Sequence, residues 1–237
     1  MNILVACEES QEVCKAFRTK GHNAYSCDII ECSGGHPEWH IRSNVLDYIN
    51  GYCAFVTMDG NVHYNVWSQR WDMIIAFPPC THLAVSGAAW FEKKRADGRQ
   101  REAIEFFERF LECDCEKVVI ENPIGIISGD YIPKWFPDLV KKYGFPLKPT
   151  QIIQPWMFGD NYNKSTCLWI KGVNPLIPKI TEQPELEWFE CVDKKTGKKK
   201  RQPKWFADAW HLSAEERAKV RSKTFPGIAK AMAEQWG

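Results

Sequence analysis

The chain predicts an α/β architecture, a doubly wound and mostly parallel sheet, on three observations. Short β-prone runs recur at residues 2–7, 24–29, 73–77 and 117–120. Segments of helical periodicity lie between them, at 10–20 and 99–112. A glycine, Gly21, separates the first such helix from the run that follows it. Strands alternating with helices pair in parallel, and sheets of this kind bind ligands at the carboxyl ends of their strands.

Each element has its own reason. The opening run NILVAC is apolar, and the helix after it carries Val13, Ala16 and Phe17 on one face before Gly21 stops it. Val45-Leu46-Asp47 reads as the end of a short third strand, and 73–77 as the fourth. In the helix at 99–112, Ile104, Phe107 and Leu111 fall at helical spacing, and Phe106 and Phe110 widen the stripe. Residues 117–120 are the fifth strand. Beyond Phe145 the pattern changes. Residues 150–158 and 165–171 read as a strand pair around Gly159-Asp160-Asn161, followed by a Pro-rich, charged stretch from 172 to 211. Ser213 and Glu216 form a capping box for the next helix, and a last helix spans 226–236. There are no internal repeats.

Composition narrows the class. At 237 residues and 44% hydrophobic content, with 13 Phe and 11 Trp, the chain builds one good core and is not disordered. Charge is balanced, 31 basic against 30 acidic residues, so any polyanion contact must come from a local patch. The start, MNILVACEES, lacks the basic lead of a signal peptide, and no run reaches the length of a membrane span. Ten cysteines without a secretion signal read as reduced thiols. The expectation is a soluble cytoplasmic protein with no membrane partner.

Three strand ends carry polar residues: Cys7-Glu8-Glu9-Ser10, Pro78-Pro79-Cys80 and Glu121-Asn122-Pro123. All three converge on one rim if the sheet is parallel. A thiol and a carboxyl at neighbouring strand ends form a nucleophile and acid pair for covalent chemistry. The two prolines hold that thiol rigidly at the strand end. Asp28 ends the second strand, where such folds place an acid for a ribose or adenine, and Asp47 is a weaker candidate of the same kind. Glu8 and Glu9 suit two roles equally, cofactor contact or capping of the first helix.

The segment Asp72 to Cys80, DMIIAFPPC, followed forty-one residues after the thiol by Glu121-Asn122 in VVIENP, resembles the DNA cytosine-5 methyltransferases. Their Pro-Pro-Cys and Glu-Asn-Val motifs stand in this order at similar spacing. Lys164 in NKSTCLWIKG lies where that family has an arginine-bearing strand, and SKTFPGIAKAMA at 222–233 resembles its C-terminal motif. The resemblance covers about 1–172 and 213–237. It implies a sheet of the S-adenosylmethionine-dependent, Rossmann-like methyltransferase type. A catalytic core at 1–172, a reduced recognition-like insert at 173–212 and C-terminal helices at 213–237 returning to the core would then make up the chain.

The resemblance also implies a chemistry. Cys80 adds to C6 of cytosine in DNA, Glu121 stabilises the charge at N3, and C5 takes a methyl group from S-adenosylmethionine. Cys80, Glu121 and Lys164 would be catalytic, with Pro78 and Asn122 against the base. Ala6, Cys7, Glu8, Glu9, Ser10, Asp28, Ile29, Asp47, Phe77 and Pro79 would hold the cofactor. The chain departs from the family in three places. Its first motif has no glycine, Pro123 replaces a valine, and the recognition insert is short, as in a small phage-type member. RNA or a free pyrimidine nucleotide as substrate, a related one-carbon transfer, and a non-catalytic phage-type decoy or regulator stay open beside DNA. An intact thiol and carboxyl pair argues against the decoy.

Two further clusters need a reading. Cys27, Cys32, His36 and His40 are zinc-like residue types, but Cys27 falls inside a strand and Gly34-Gly35 marks a loop. A loop over the cofactor or substrate is preferred to a metal site. The basic run from Lys194 to Arg201, with Lys198, Lys199, Lys200 and Arg201 at its end and a turn expected at Thr196-Gly197, is flanked by Trp188, Phe189, Trp205 and Phe206. Basic groups interleaved with aromatics suit a nucleic-acid strand, against the plainer reading of a solvated hairpin tip.

Overall fold

Ile3, Leu4, Val5 and Ala6 expose no surface, and neither do Met73, Ile74, Ile75 and Ala76. Strands buried on both faces belong to the middle of a parallel sheet covered by helices. The computed structural model describes residues 1–64, 70–192, 197–222 and 224–237. Lys194, Lys195 and Thr196 of the basic run, and Lys223, lie outside the described residues.

In chain order the strands are β1 (Asn2–Ala6), β2 (Asn23–Asp28), β3 (His40–Arg42), β4 (Ala54–Val56), β5 (Val62–Tyr64), β6 (Met73–Ala76), β7 (Val118–Pro123), β8 (Gln151–Ile153), β9 (Thr166–Lys171), β10 (Trp188–Val192) and β11 (Lys199–Pro203). The α-helices are α1 (Glu12–Thr19), α2 (Phe91–Ala96), α3 (Arg99–Leu111), α4 (Tyr131–Trp135), α5 (Pro137–Tyr143), α6 (Lys204–Asp208), α7 (Ala214–Ser222) and α8 (Pro226–Trp236). Seven strands form the central sheet in the order β3-β2-β1-β6-β7-β9-β8. Only β9 runs against its neighbours. The fold is therefore α/β, a mostly parallel central sheet flanked by helices.

Alternation along the strands sorts the core into two layers. Leu4, Ala6, Ile74, Ala76, Val118 and Ile120 face one side, against Ile104, Phe107 and Phe110 of α3 and Leu139 of α5. Ile3, Val5, Met73, Ile75 and Val119 face the other, against Val13 and Phe17 of α1 and Ile228, Met232 and Trp236 of α8. The last helix thus packs beside the first.

Two sequence readings are corrected. The third strand is β3, not 45–47: Val45–Asp47 forms a single 3-10 turn, with the Asn44 side chain accepting from the Leu46 amide. Asn44 is a better cap than a strand residue, and β3 carries one fully apolar residue, too few to show a period. The strand expected over 150–158 stops at Ile153, because Pro155 starts a 3-10 turn and supplies no amide to the ladder. Ser213 and Glu216 do exchange the hydrogen bonds of a capping box, at 3.2 and 3.0 Å. Among the described residues, no helix is long and apolar enough to cross a membrane.

Glu108 on α3 is buried, and one of its carboxyl oxygens has no partner. Burial, with the neighbouring Glu112, raises its pKa from 4.5 to about 8. A carboxyl whose folded-state pKa is raised holds its proton more tightly than the unfolded chain does. Stability therefore falls as pH climbs from about 5 through 8. Glu108→Gln lacks this loss. Urea unfolding at pH 5, 7 and 9 should show the variant gaining on the wild type with each step, reaching on the order of 3 kcal/mol. A constant gap across the series would mean that the Glu108 carboxyl is solvated.

Candidate functional site

The rim of the sheet is built from strand ends that the ladder aligns. The Phe77 amide donates to the Ala6 carbonyl at 2.9 Å, extending the β1–β6 pairing one residue past the strand. Pro78 is buried, Pro79 is exposed, and Cys80 is half-buried at the start of a tight turn. The Cys80 carbonyl accepts from both the Leu83 and Ala84 amides at 2.9 Å. From the next strand, the buried Asn122 side chain donates to the Pro78 carbonyl at 2.8 Å. Asn122 thereby braces β7 against the thiol-bearing loop, and its side-chain oxygen has no partner among the described residues. Beyond it the loops after β6 and β7 are zipped together: Val85 donates to the Ile124 carbonyl at 3.2 Å and Ile126 to the Leu83 carbonyl at 3.0 Å. The approach is so close that a Cβ on Gly125 would lie 2.4 Å from the Leu83 carbonyl oxygen.

Glu121 is half-buried on β7, opposite Leu168 of β9. Because β9 runs antiparallel, its start lies at this same rim and brings Lys164 and Thr166 with it. Burial raises the Glu121 pKa, while the Lys164 charge and the Thr166 hydroxyl act in the opposite direction. The Cys80 thiol is also raised, by burial and then by Glu121, and the charges of Lys164 and Lys94 lower it. Cys80, Glu121 and Lys164 are therefore within electrostatic reach of one another.

The C-terminal segment closes over Glu121 and Lys164. Phe77, Glu121, Lys164, Thr166, Phe225 and Ile228 line one small cavity of about 10 Å³, room for a single water. The Lys164 ammonium lies 5.7 Å from the Phe225 ring centre. Asp160, in a turn that the sequence marked only as a turn, accepts from the Gly227 amide at 2.9 Å and anchors the start of α8.

The β1–α1 turn takes an unusual path for a segment without glycine: Cys7 and Gln11 both have left-handed backbones, φ 58° and 59°. Glu8 is buried and accepts from the Val13 and Cys14 amides at 2.7 and 3.2 Å. It is the cap of α1, the second of its two expected roles. Burial raises its pKa to about 7 against the pull of those two amides. Ser10 is buried, and the Glu9 carboxylate accepts from the Ser33 hydroxyl. Asp28 is half-buried at the end of β2, its pKa raised by burial, and Ile29 beside it is 72% exposed. Asp47 is exposed on the 3-10 turn after β3, within electrostatic reach of Cys27, and lines an open cavity of about 270 Å³ with Tyr48 and Tyr52.

Of the four zinc-like residues, both histidines have other partners. His40 is buried, with Nδ1 at 2.8 Å from the Ser26 hydroxyl and Nε2 donating to the Ile30 carbonyl at 2.9 Å. His36 stacks on Trp39 at 3.8 Å, and Cys27 lies inside β2. Among the described residues, no group of three or more such side chains could hold a metal. Instead, the loop bearing Cys32 and Gly34 is fastened to the β1–α1 turn. The fully buried Gln11 side chain, which sequence reading missed, donates to the His36 carbonyl at 2.8 Å and accepts from the His36 amide at 3.0 Å.

Lys198, Lys199, Lys200 and Arg201 are exposed on the β10–β11 hairpin, and Arg201 lies over the Trp188 ring at 4.6 Å. The helix that follows this hairpin, α6, reaches the site. Trp205 meets Phe225 edge-on at 5.7 Å and donates to the Asn163 carbonyl at 3.3 Å. No protein-family model matches the chain, and a search of curated proteins finds no match to it.

Gly34 fits because it has no side chain. A Cβ there would lie 2.5 Å from both the Ser10 carbonyl oxygen and the Gln11 Cβ. Gly34→Ala should lift this loop from the β1–α1 turn. Amide exchange should then accelerate at least tenfold at Ser33 and His36, whose amides donate to Glu9 and Gln11. Unchanged protection at both amides would show that the loop is held from elsewhere.

Proposed function

We propose that this protein transfers a methyl group from S-adenosylmethionine to carbon 5 of cytosine in DNA, through a covalent bond between Cys80 and C6. One observation carries the reading: a thiol, a carboxyl and an ammonium from three separate strand ends lie within electrostatic reach of one another, the last two beneath the C-terminal segment. The doubly wound order supports the methyltransferase type of fold. Strand order reverses between the parallel neighbours β1 and β6, with β2 and β3 laid down on one side and β7 on the other, and the Cys7 and Phe77 turns flank that switch point.

The residues present fit this cofactor better than a dinucleotide. A pyrophosphate needs the free amides at the start of the first helix. Here Glu8 already occupies them, and a buried carboxylate there repels phosphate. A ligand with a cationic sulfonium and ammonium tolerates it. Asp28 would take the ribose hydroxyls, and the exposed Ile29 offers an apolar platform for adenine. When bound, S-adenosylmethionine supplies an electrophilic methyl group.

The chain's own residues do the rest. The Cys80 thiolate gives an electron pair to C6, and the ring pair shifts toward N3, where Glu121 delivers its proton. Burial keeps that proton on Glu121 to a higher pH than an ordinary carboxyl, which suits a donor. Lys164 offsets the negative charge shared by the two groups. Once C5 carries the methyl group, N3 returns its proton to Glu121, and loss of the C5 proton to a base restores the C5–C6 double bond and releases the thiolate. A base within a duplex must first be flipped out to reach the rim.

Incubation with labelled S-adenosylmethionine and, in parallel, duplex DNA, single-stranded DNA, RNA and nucleotides should label duplex DNA. Cys80→Ser should lower transfer on the order of 10³-fold or more and leave cofactor affinity intact. A 5-fluorocytosine substrate should trap the protein covalently, because fluorine cannot leave as a cation. Transfer without an adduct, persisting in Cys80→Ser, would replace this chemistry with direct displacement at nitrogen or oxygen.

The exposed hairpin suits phosphate contact. Replacing Lys198, Lys199, Lys200 and Arg201 with alanine should weaken DNA binding. Each lost phosphate contact should flatten the slope of log affinity against log salt by about one unit. An unchanged slope would identify the run as a solvated turn.

A further inference from the structure

Lys94 is a buried lysine, 8% exposed, on the helix that follows the thiol-bearing loop. Its ammonium turns back and donates to the carbonyl of Thr81, the residue after Cys80, at 2.5 Å. The loop wraps it closely: a Cβ on Gly87 would lie 3.0 Å from the Lys94 nitrogen. Among the described residues it makes no ion pair.

A buried cation that faces a carbonyl and, at 6.0 Å, the Phe91 ring is expensive in desolvation. A neutral donor would brace Thr81 as well, so the brace alone does not account for a charge. The charged and titratable groups facing Cys80 come from three elements: Glu121 on β7, Lys164 before β9 and Lys94 on α2. Glu121 opposes ionisation of the thiol, and the two lysines favour it. Of these cations, Lys94 is the one fastened to the loop that carries the sulfur.

We propose that Lys94 is a positioning residue for Cys80. Its buried ammonium pins the loop through Thr81 and supplies the counter-charge under which the thiol gives up its proton. The proton passes to solvent, and the sulfur keeps the electron pair for attack. The inference rests on the reading of Cys80 as the nucleophile.

Alkylation of Cys80 by iodoacetamide, followed by peptide mass spectrometry from pH 7 to 11, tests it without any methyl transfer. Lys94→Gln keeps a donor near Thr81 and removes the charge. Its alkylation midpoint should move about one pH unit higher, with Cys80 labelling roughly tenfold slower at pH 7.5. Lys94→Met should melt no lower than the wild type, because it replaces a buried unpaired charge with an apolar chain, and should shift the midpoint equally. Cofactor affinity should be unchanged in both. A Lys94→Gln profile that superimposes on the wild type overturns the proposal. So does loss of folding in either variant, which would mark Lys94 as structural. If the midpoint shifts but no substrate is methylated, the methyltransferase reading fails and the role of Lys94 stands.

Discussion

The hydrogen bond from the Phe77 amide to the Ala6 carbonyl sets the geometry on which the site depends. It carries the β1–β6 ladder past the last strand residue, so two loops leave the sheet in fixed register. The Cys7 turn and the Pro-Pro-Cys turn therefore start side by side. Buried neighbours hold the bond in place, since neither strand has an exposed side chain from Ile3 to Ala6 or from Met73 to Ala76. Asn122 then ties β7 to the same loop through Pro78. Three strand ends become one rigid rim, although almost a hundred and twenty residues of chain separate the first from the last.

Much of the local cost in the molecule gathers along that rim. Two non-glycine residues there adopt left-handed backbones, Cys7 and Gln11. A buried carboxyl caps the first helix, a buried ammonium faces a carbonyl, and the Asn122 side-chain oxygen has no partner. Positions of this kind persist where the surrounding structure over-determines them, and they concentrate at binding and reaction sites. Glu108 is the counter-example: its carboxyl is equally awkward, yet it sits in the α3 layer away from the rim. Strain alone does not mark a site, and the convergence of reactive groups must accompany it.

The legible part of the sequence was the part governed by period and burial. The runs at 73–77 and 117–120 announced β6 and β7, and the stripe of Ile104 and Phe107 announced α3. Cys80 and Glu121 could be placed together because a parallel sheet sends its strand ends to one edge. Short elements escaped. β3 has three residues and β8 has three, too few for alternation to show. The side chains that tune the site were hidden for a different reason. Gln11 and Lys94 are ordinary polar residues in sequence, and burial reveals them. Lys94 offered one faint signal, its spacing three residues after Phe91 on the same helical face. Asp160 reads as a turn residue until α8 is seen to begin on it.

Cys80 and Glu121 set each other an electrostatic problem, which the two lysines address differently. A negative charge on either group raises the proton affinity of the other, so the pair favours a single negative charge. The proposed chemistry needs that charge on sulfur, with the proton kept on the carboxyl. Lys164 acts on both groups and stabilises one negative charge wherever it resides. It therefore lowers the cost of ionising the pair without choosing between its members. Lys94 breaks the symmetry, because it is bonded to the residue beside Cys80 and acts on the thiol. A cation on the rim and a second cation bonded beside Cys80 thus work against the burial and the Glu121 charge that oppose the thiolate, the form that the proposed attack on C6 requires.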